Sequence, residues 1–122
     1  MGLRALVLVV DDDSRSAHRL ADLLEDDGYE VEVAASGSQA MDRLSRPPRP
    51  AVLVTDLRLR QSDGGTVARF ARERFEGIPV VVVTGYPQLA PRDLVPAPVV
   101  LTKPLVYPDL SALLERIGVA RA

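Results

Sequence analysis

Read for apolar and polar positions, the chain alternates short aliphatic runs with segments of helical spacing. Leu6–Val10 is unbroken aliphatic, and residues 51–55, 78–83 and 99–101 are nearly so. Runs of this length, bounded by turn residues, predict fully buried strands. Such strands are typical of parallel sheets covered by helices on both faces. Residues 29–34 instead alternate, Val31 and Val33 against Glu30 and Glu32, which predicts a half-exposed edge strand. Between the runs, Ala17, Leu20, Ala21 and Leu24 recur at helical spacing, with Gly28 suited to a left-handed cap. Ser36-Gly37-Ser38 opens a second helix with Ala40, Met41 and Leu44 inward. Val67, Phe70, Ala71 and Phe75 make a third. Leu110, Leu113, Leu114 and Ile117 make a last one that begins near Pro108, where a first turn tolerates proline. The βα alternation predicts a doubly wound α/β sheet forming one domain over residues 1–122.

Three segments break the pattern. Arg46-Pro47-Pro48-Arg49-Pro50 reads as a stiff connector in preference to a polyproline ligand. Residues 57–65 read as a loop with Asp63-Gly64-Gly65 as its turn. In residues 86–98, Pro87, Pro91, Pro96 and Pro98 each remove a donor and clash with a preceding turn. At most one short helical turn is expected there, at residues 91–95.

Composition excludes several classes. At 122 residues and 47% hydrophobic, the chain suits one sizeable core. A net charge of −2 gives no electrostatic case for nucleic acid. There is no cysteine for a disulfide or thiolate metal site, and the single His18, off the apolar helix face, reads as solvated. No apolar run approaches the ~20 residues that span a bilayer. The start, Met1-Gly2-Leu3-Arg4, lacks a secretory pattern, so cytoplasm is the expected compartment. Of 15 basic residues only Lys103 is lysine, a compact ammonium placed at a strand end.

The strand ends carry the chemistry. Asp11-Asp12-Asp13 follow the first run, Asp56 closes the central one, Thr84-Gly85 follow the next, and Thr102-Lys103-Pro104 follow the last. Ligands of open α/β sheets bind beyond these carboxyl ends. Mg²⁺ takes oxygen ligands, one or two of them carboxylates. Asp12 and Asp56 are the candidates, with Asp11 holding a bound water and Asp13 capping the first helix. Asp56 is also a candidate nucleophile, since carboxylates form aspartyl phosphates. The Thr84 hydroxyl and the Lys103 ammonium are candidates for the phosphoryl oxygens.

Taken together, Val9-Val10-Asp11-Asp12-Asp13, Asp56 with Asp63-Gly64 beginning seven residues on, Thr84-Gly85 and Lys103-Pro104 resemble the receiver domain of two-component response regulators. The resemblance covers nearly the whole chain. It implies a flavodoxin-like five-stranded parallel sheet of order 2-1-3-4-5. It implies Asp56 as phosphoacceptor, with Asp11, Asp12, Asp56 and the backbone carbonyl of Arg58 holding Mg²⁺. Thr84 would be the switch hydroxyl, Lys103 the phosphate-binding lysine, and the Lys103–Pro104 bond cis. Arg58 and Tyr86, two residues beyond the acceptor and the threonine, would tune phosphate lifetime. The implied partners are a histidine kinase or phosphotransfer protein and an unknown downstream protein, with the chain a monomer or weak dimer.

The sequence also departs from the family. Leu59-Arg60 stand where Met-Pro is usual, and Val100 stands where an aromatic switch residue is usual. The fourth helix is shortened and proline-rich, and Thr84-Gly85-Tyr86 is similar to a stand-alone subfamily with a Thr-Gly-Tyr-like motif. A single-domain switch is therefore expected, its output made through protein contacts or by draining phosphate from a kinase. Two other classes compete. A haloacid-dehalogenase-type phosphatase would use Asp11-x-Asp13, but leaves the Asp56 strand without a role. A receiver-like binding module would work without phosphorylation.

Overall fold

The computed structural model describes residues 4–121. The Met1-Gly2-Leu3 opening, on which the leader reading rested, lies outside the described residues. Five parallel strands form one sheet: β1 (Leu6–Val10), β2 (Glu30–Ala34), β3 (Val52–Asp56), β6 (Val80–Thr84) and β7 (Val99–Thr102). Their order across the sheet is β2-β1-β3-β6-β7, the predicted 2-1-3-4-5 when sheet strands alone are counted. Four helices cover it: α1 (Ser14–Asp26), α2 (Gly37–Leu44), α3 (Gly64–Arg74) and α4 (Tyr107–Arg116).

The aliphatic runs become central strands because both of their faces are covered. All five residues of β1, β3 and β6 are buried. The strand period of two sends Leu8, Val10, Leu53, Val80 and Val82 to one face. There they meet Ala40 and Leu44 of α2 and Val67, Ala68 and Ala71 of α3. Val7, Val9, Val52, Val54, Val81 and Val83 point the other way, onto Leu24 of α1 and Leu110, Leu113 and Leu114 of α4. Each such side chain contributes about 1.5–3 kcal/mol by leaving water. Register fixes the rim: Val10 lies level with Thr55, Asp56 with Val83, and Thr84 with Thr102. The polar ends of β1, β3, β6 and β7 thus arrive at one edge.

Four local expectations need correction. Residues 57–65 are not a plain loop: β4 (Arg58–Leu59) and β5 (Ser62–Asp63) pair antiparallel, turning through Arg60 and Gln61. Asp63 is the N-cap of α3, accepting from Thr66 N at 2.9 Å, so Gly64 and Gly65 are helical rather than part of a turn. The short turn among the prolines is a 3₁₀ turn at Pro87–Leu89, not at residues 91–95. Pro87 presets its first position, while residues 91–98 are tied down from α3. Arg69 grips Asp93 at 2.9 Å, and Arg72 donates to the carbonyls of Pro96 and Ile78. On α2, Met41 is only half-buried and Arg43 is buried instead. Each nitrogen of the Arg43 guanidinium has a partner: Glu32 at 2.7 Å and the carbonyls of Arg46 and Pro48. That pairing lies on the α2 side of the edge strand, level with Leu8; Val33, on the other face, is 39% exposed.

Candidate functional site

The site is a rim whose carboxylates come from the ends of two strands, β1 and β3. Asp56 is the last residue of β3 and is 9% exposed. Asp11 and Asp12 follow β1, both half-buried. One carboxylate oxygen from each of Asp11, Asp12 and Asp56 lies within 4.8 Å of the others. Asp13 does not join them. Its Oδ1 accepts from Arg15 N at 3.1 Å and Ser16 N at 3.4 Å, and its Oδ2 accepts from the Ser16 hydroxyl. The Ser16 hydroxyl and N–H hold its carboxyl below the ordinary range. Asp13 is therefore the helix cap the sequence predicted, with Ser14 as the first helical residue. An Asp11-x-Asp13 nucleophile pair is not formed.

Each remaining carboxylate has a different partner. Lys103 Nζ lies 2.7 Å from Asp56 Oδ1. Lys103 is brought there from the end of β7, where its N–H donates to the Thr84 carbonyl at 2.9 Å. Asp12 Oδ2 accepts from the backbone N–H of Arg60 at 2.7 Å, with Arg60 Nε 3.9 Å away. Asp11 Oδ1 accepts from Asp13 N at 2.9 Å. Burial pushes the Asp11 carboxyl up to about 6, and the charge of Asp56 adds to it. The Asp13 N–H and, more weakly, Lys103 act against that rise.

Thr84, at the end of β6, is buried, and its Oγ1 accepts from Tyr86 N at 2.9 Å. The Tyr86 ring is 46% exposed and lies under the Arg58 guanidinium, 4.8 Å from Cζ to ring centroid. Gly64 makes the close packing behind Asp56 possible. A Cβ there would fall 2.1 Å from the Asp56 carbonyl oxygen, and Gly64 N donates to Leu57 O at 2.7 Å. The Lys103–Pro104 bond is cis, as the resemblance implied.

Asp11, Asp12, Asp56 and Lys103 thus meet at this rim, Thr84 ends the strand next to that of Asp56, and Arg58 and Tyr86 are placed against each other. Two relationships had escaped the sequence reading. Arg58 and Tyr86 stack on each other, and Arg60 holds Asp12. The second left a trace, because Arg60 supplies an N–H where the family usually has a proline without one.

A doubly wound five-stranded sheet with acidic groups, a hydroxyl and a lysine at one carboxyl edge defines an α/β protein of the receiver class. A family model described as the response regulator receiver domain matches residues 7–115. The chain belongs to that family. It is 38% identical over 108 residues to a response regulator receiver protein of Anaeromyxobacter sp. (strain Fw109-5), a match covering 88% of this chain and 43% of the relative. It is 33% identical over 119 residues to the response regulator MprA of Mycobacterium avium (strain 104), covering 90% of this chain and 51% of that one. The chain spans about half the length of the curated relatives it matches. Among solved structures, the chemotaxis response regulator CheY4 of Vibrio cholerae superposes with a TM-score of 0.83 at 27% identity, covering 94% of this chain and 99% of that one. The receiver domain of the hybrid histidine kinase CckA superposes at 0.79 with 26% identity, covering 92% and 97%. The family is one of signalling switches. No helix among the described residues is long and apolar enough to cross a membrane.

Proposed function

We propose that Asp56 is the phosphoacceptor of a single receiver domain spanning residues 1–122. The donor is a phosphohistidine on a histidine kinase or phosphotransfer protein, met in the cytoplasm by a monomer or weak dimer. The observation that carries this reading is the Asp56 carboxylate, gathered with Asp11 and Asp12 and held 2.7 Å from the Lys103 ammonium. An Asp56 carboxylate oxygen forms the new O–P bond as the P–N bond of the donor breaks, and the imidazole leaves with the electron pair. Lys103 turns from the carboxylate to a phosphoryl oxygen. The Thr84 hydroxyl, now accepting from Tyr86 N, donates to another, so the Thr84-Gly85-Tyr86 segment reports the charge at Asp56.

Mg²⁺ suits this site because its donors are hard oxygens: the carboxylates of Asp11, Asp12 and Asp56 and the carbonyl of Arg58. Burial raises the Asp11 carboxyl and the charge of Asp56 adds to it, and a bound cation would offset both. When bound, the ion supplies positive charge to both the attacking carboxylate and the phosphoryl oxygens. Beyond catalysing its own phosphorylation and hydrolysis, the chain turns over no substrate in this reading. Arg58 and Tyr86, stacked at the rim, set the phosphate lifetime by limiting the approach of water.

The test is labelling by acetyl phosphate and by a phosphorylated kinase, with Mg²⁺ present, of wild type and Asp56→Asn. We expect hydroxylamine-labile label on the wild type and none on the variant. Label retained by Asp56→Asn but lost on changing Asp11 would favour phosphatase chemistry. A folded wild-type protein that takes label from no donor would leave the binding-module reading standing.

A further inference from the structure

Resting on the Mg²⁺-dependent reading above, we propose that Arg60 sets the metal affinity of the rim in two opposed ways. Its backbone N–H orients Asp12 for the ion, and its guanidinium competes with the ion for the same carboxylate. The N–H donates to Asp12 Oδ2 at 2.7 Å, a short bond to a charged acceptor, while Nε stands 3.9 Å from the same oxygen. Outer groups that fix a ligating carboxylate typically govern metal affinity by about 10- to 100-fold. A fixed positive charge beside the ligand works the other way. Since the Arg60 side chain is 86% exposed, solvent and salt weaken that second effect.

The donor is held rigidly. Arg60 and Gln61 form the turn between β4 and β5, and Leu59 pairs with Ser62 across it. Ser62 packs into the gap left by Gly37, where a Cβ would lie 2.6 Å from Ser62 Oγ. At the other end of the ribbon, Gly64 N is bonded to Leu57 O at 2.7 Å. The Arg60 N–H is therefore aimed by the packing of the ribbon, whatever its own side chain does. Gln61 has φ 62° and Arg60 does not share the left-handed region. A positive φ at the third position is the signature of a type II turn, whose second position favours proline. Arg60→Pro is thus a substitution the turn accepts, and it deletes one N–H at the point of interest. Where a proline stands at this position, neither effect exists.

The experiment is calorimetric titration of Mg²⁺ into wild type, Arg60→Pro and Arg60→Gln, at low and at physiological ionic strength. Urea unfolding in EDTA serves as the check on folding. We expect Arg60→Gln, which keeps the N–H, to bind Mg²⁺ about three-fold more tightly at low salt, with the gain shrinking as salt rises. We expect Arg60→Pro to bind about ten-fold more weakly than Arg60→Gln. Equal affinities in the two variants would overturn the orienting role. An affinity in Arg60→Gln no higher than wild type at low salt would overturn the competition. A wild-type protein that takes up no Mg²⁺ would instead overturn the metal reading on which the proposal stands. Should Arg60→Pro fail to fold, Asp12→Asn compared with the double variant Asp12→Asn/Arg60→Gln decides the charge effect alone. If Arg60 acts through Asp12, its removal raises affinity by less once that carboxylate is gone; an undiminished gain overturns the competition for Asp12.

Discussion

Replacing Asp11 by asparagine should stabilise the metal-free protein at neutral pH and have little effect near pH 4. The Asp11 carboxyl is raised to about 6 from 3.8, chiefly by burial and then by the charge of Asp56. A carboxyl whose pKa is higher folded than unfolded binds its proton more tightly in the native state. The stability this contributes is complete below about 3.8 and is lost as pH rises through 6. Above that pH the native protein carries an ionised, partly desolvated carboxylate beside two others. Asparagine resembles the protonated form and keeps an oxygen for the Asp13 N–H, so it carries no such dependence. A shift of this size corresponds to at most ~3 kcal/mol at 1.36 kcal/mol per pKa unit. Asp11 is only half-buried and solvent screens it, so about half of that, ~1.5 kcal/mol, is the expected gain.

The assay is urea unfolding in EDTA, followed by circular dichroism, for both proteins at several values between pH 4 and 7.5. The midpoints should separate progressively between about pH 4 and 6, with Asp11→Asn the more stable above that and the slopes alike. Saturating Mg²⁺ should reverse the order, because the ion stabilises the protein that binds it better. A gap that does not change with pH, or an asparagine variant that is less stable at pH 7.5, would refute the reasoning. Lys103 would then already be neutralising the whole cluster.

Two further outcomes follow from contacts at the same rim. Gly64→Ala pushes a methyl against the Asp56 carbonyl oxygen, a backbone atom that cannot swing away, and should cost about 3 kcal/mol. In thermal melts that is a fall on the order of 10 °C, whereas Gly85→Ala, with open space around it, should scarcely move the midpoint. Tyr86→Ala removes the ring beneath Arg58; an exposed cation–π contact of ~0.5–1 kcal/mol corresponds to aspartyl phosphate hydrolysis about 2- to 5-fold faster. An unchanged half-life of the labelled protein would mean that the ring only packs the loop.

Where the sequence was legible, burial on two faces had written it. Leu6–Val10 and Val52–Val54 could be read because strands covered on both faces run nearly continuously apolar, with Thr55 and Asp56 only at the carboxyl end. The site followed, because a carboxylate directly after such a run stands at the carboxyl edge. The two-residue strands β4 and β5 carry no periodicity, so a loop was the natural reading of residues 57–65. Prolines in residues 86–98 excluded a long helix, but the position of the 3₁₀ turn depends on ties from Arg69 and Arg72 across the fold. Arg43 was hidden for a similar reason. Its burial depends on Glu32 and on two carbonyls of the following connector, none of which helical spacing can reveal.

The partners of the rim carboxylates explain why the site is divided as it is. Asp13 is neutralised by a helix N-terminus, Asp56 by Lys103, and Asp12 by the Arg60 N–H with a guanidinium behind it. Asp11 has one backbone N–H and no ion pair among the described residues. Asp11 is the member of the cluster whose pKa rises to about 6, chiefly through burial and then through the charge of Asp56. Asp11 is also a poorer candidate for the nucleophile, because it makes no ion pair among the described residues, whereas Asp56 stands 2.7 Å from Lys103. The lysine-paired Asp56 at the end of the central strand is the one to which the proposed reading gives that role. The three adjacent aspartates after β1, given different roles from the sequence, are distinguished in the fold by which backbone N–H each one meets.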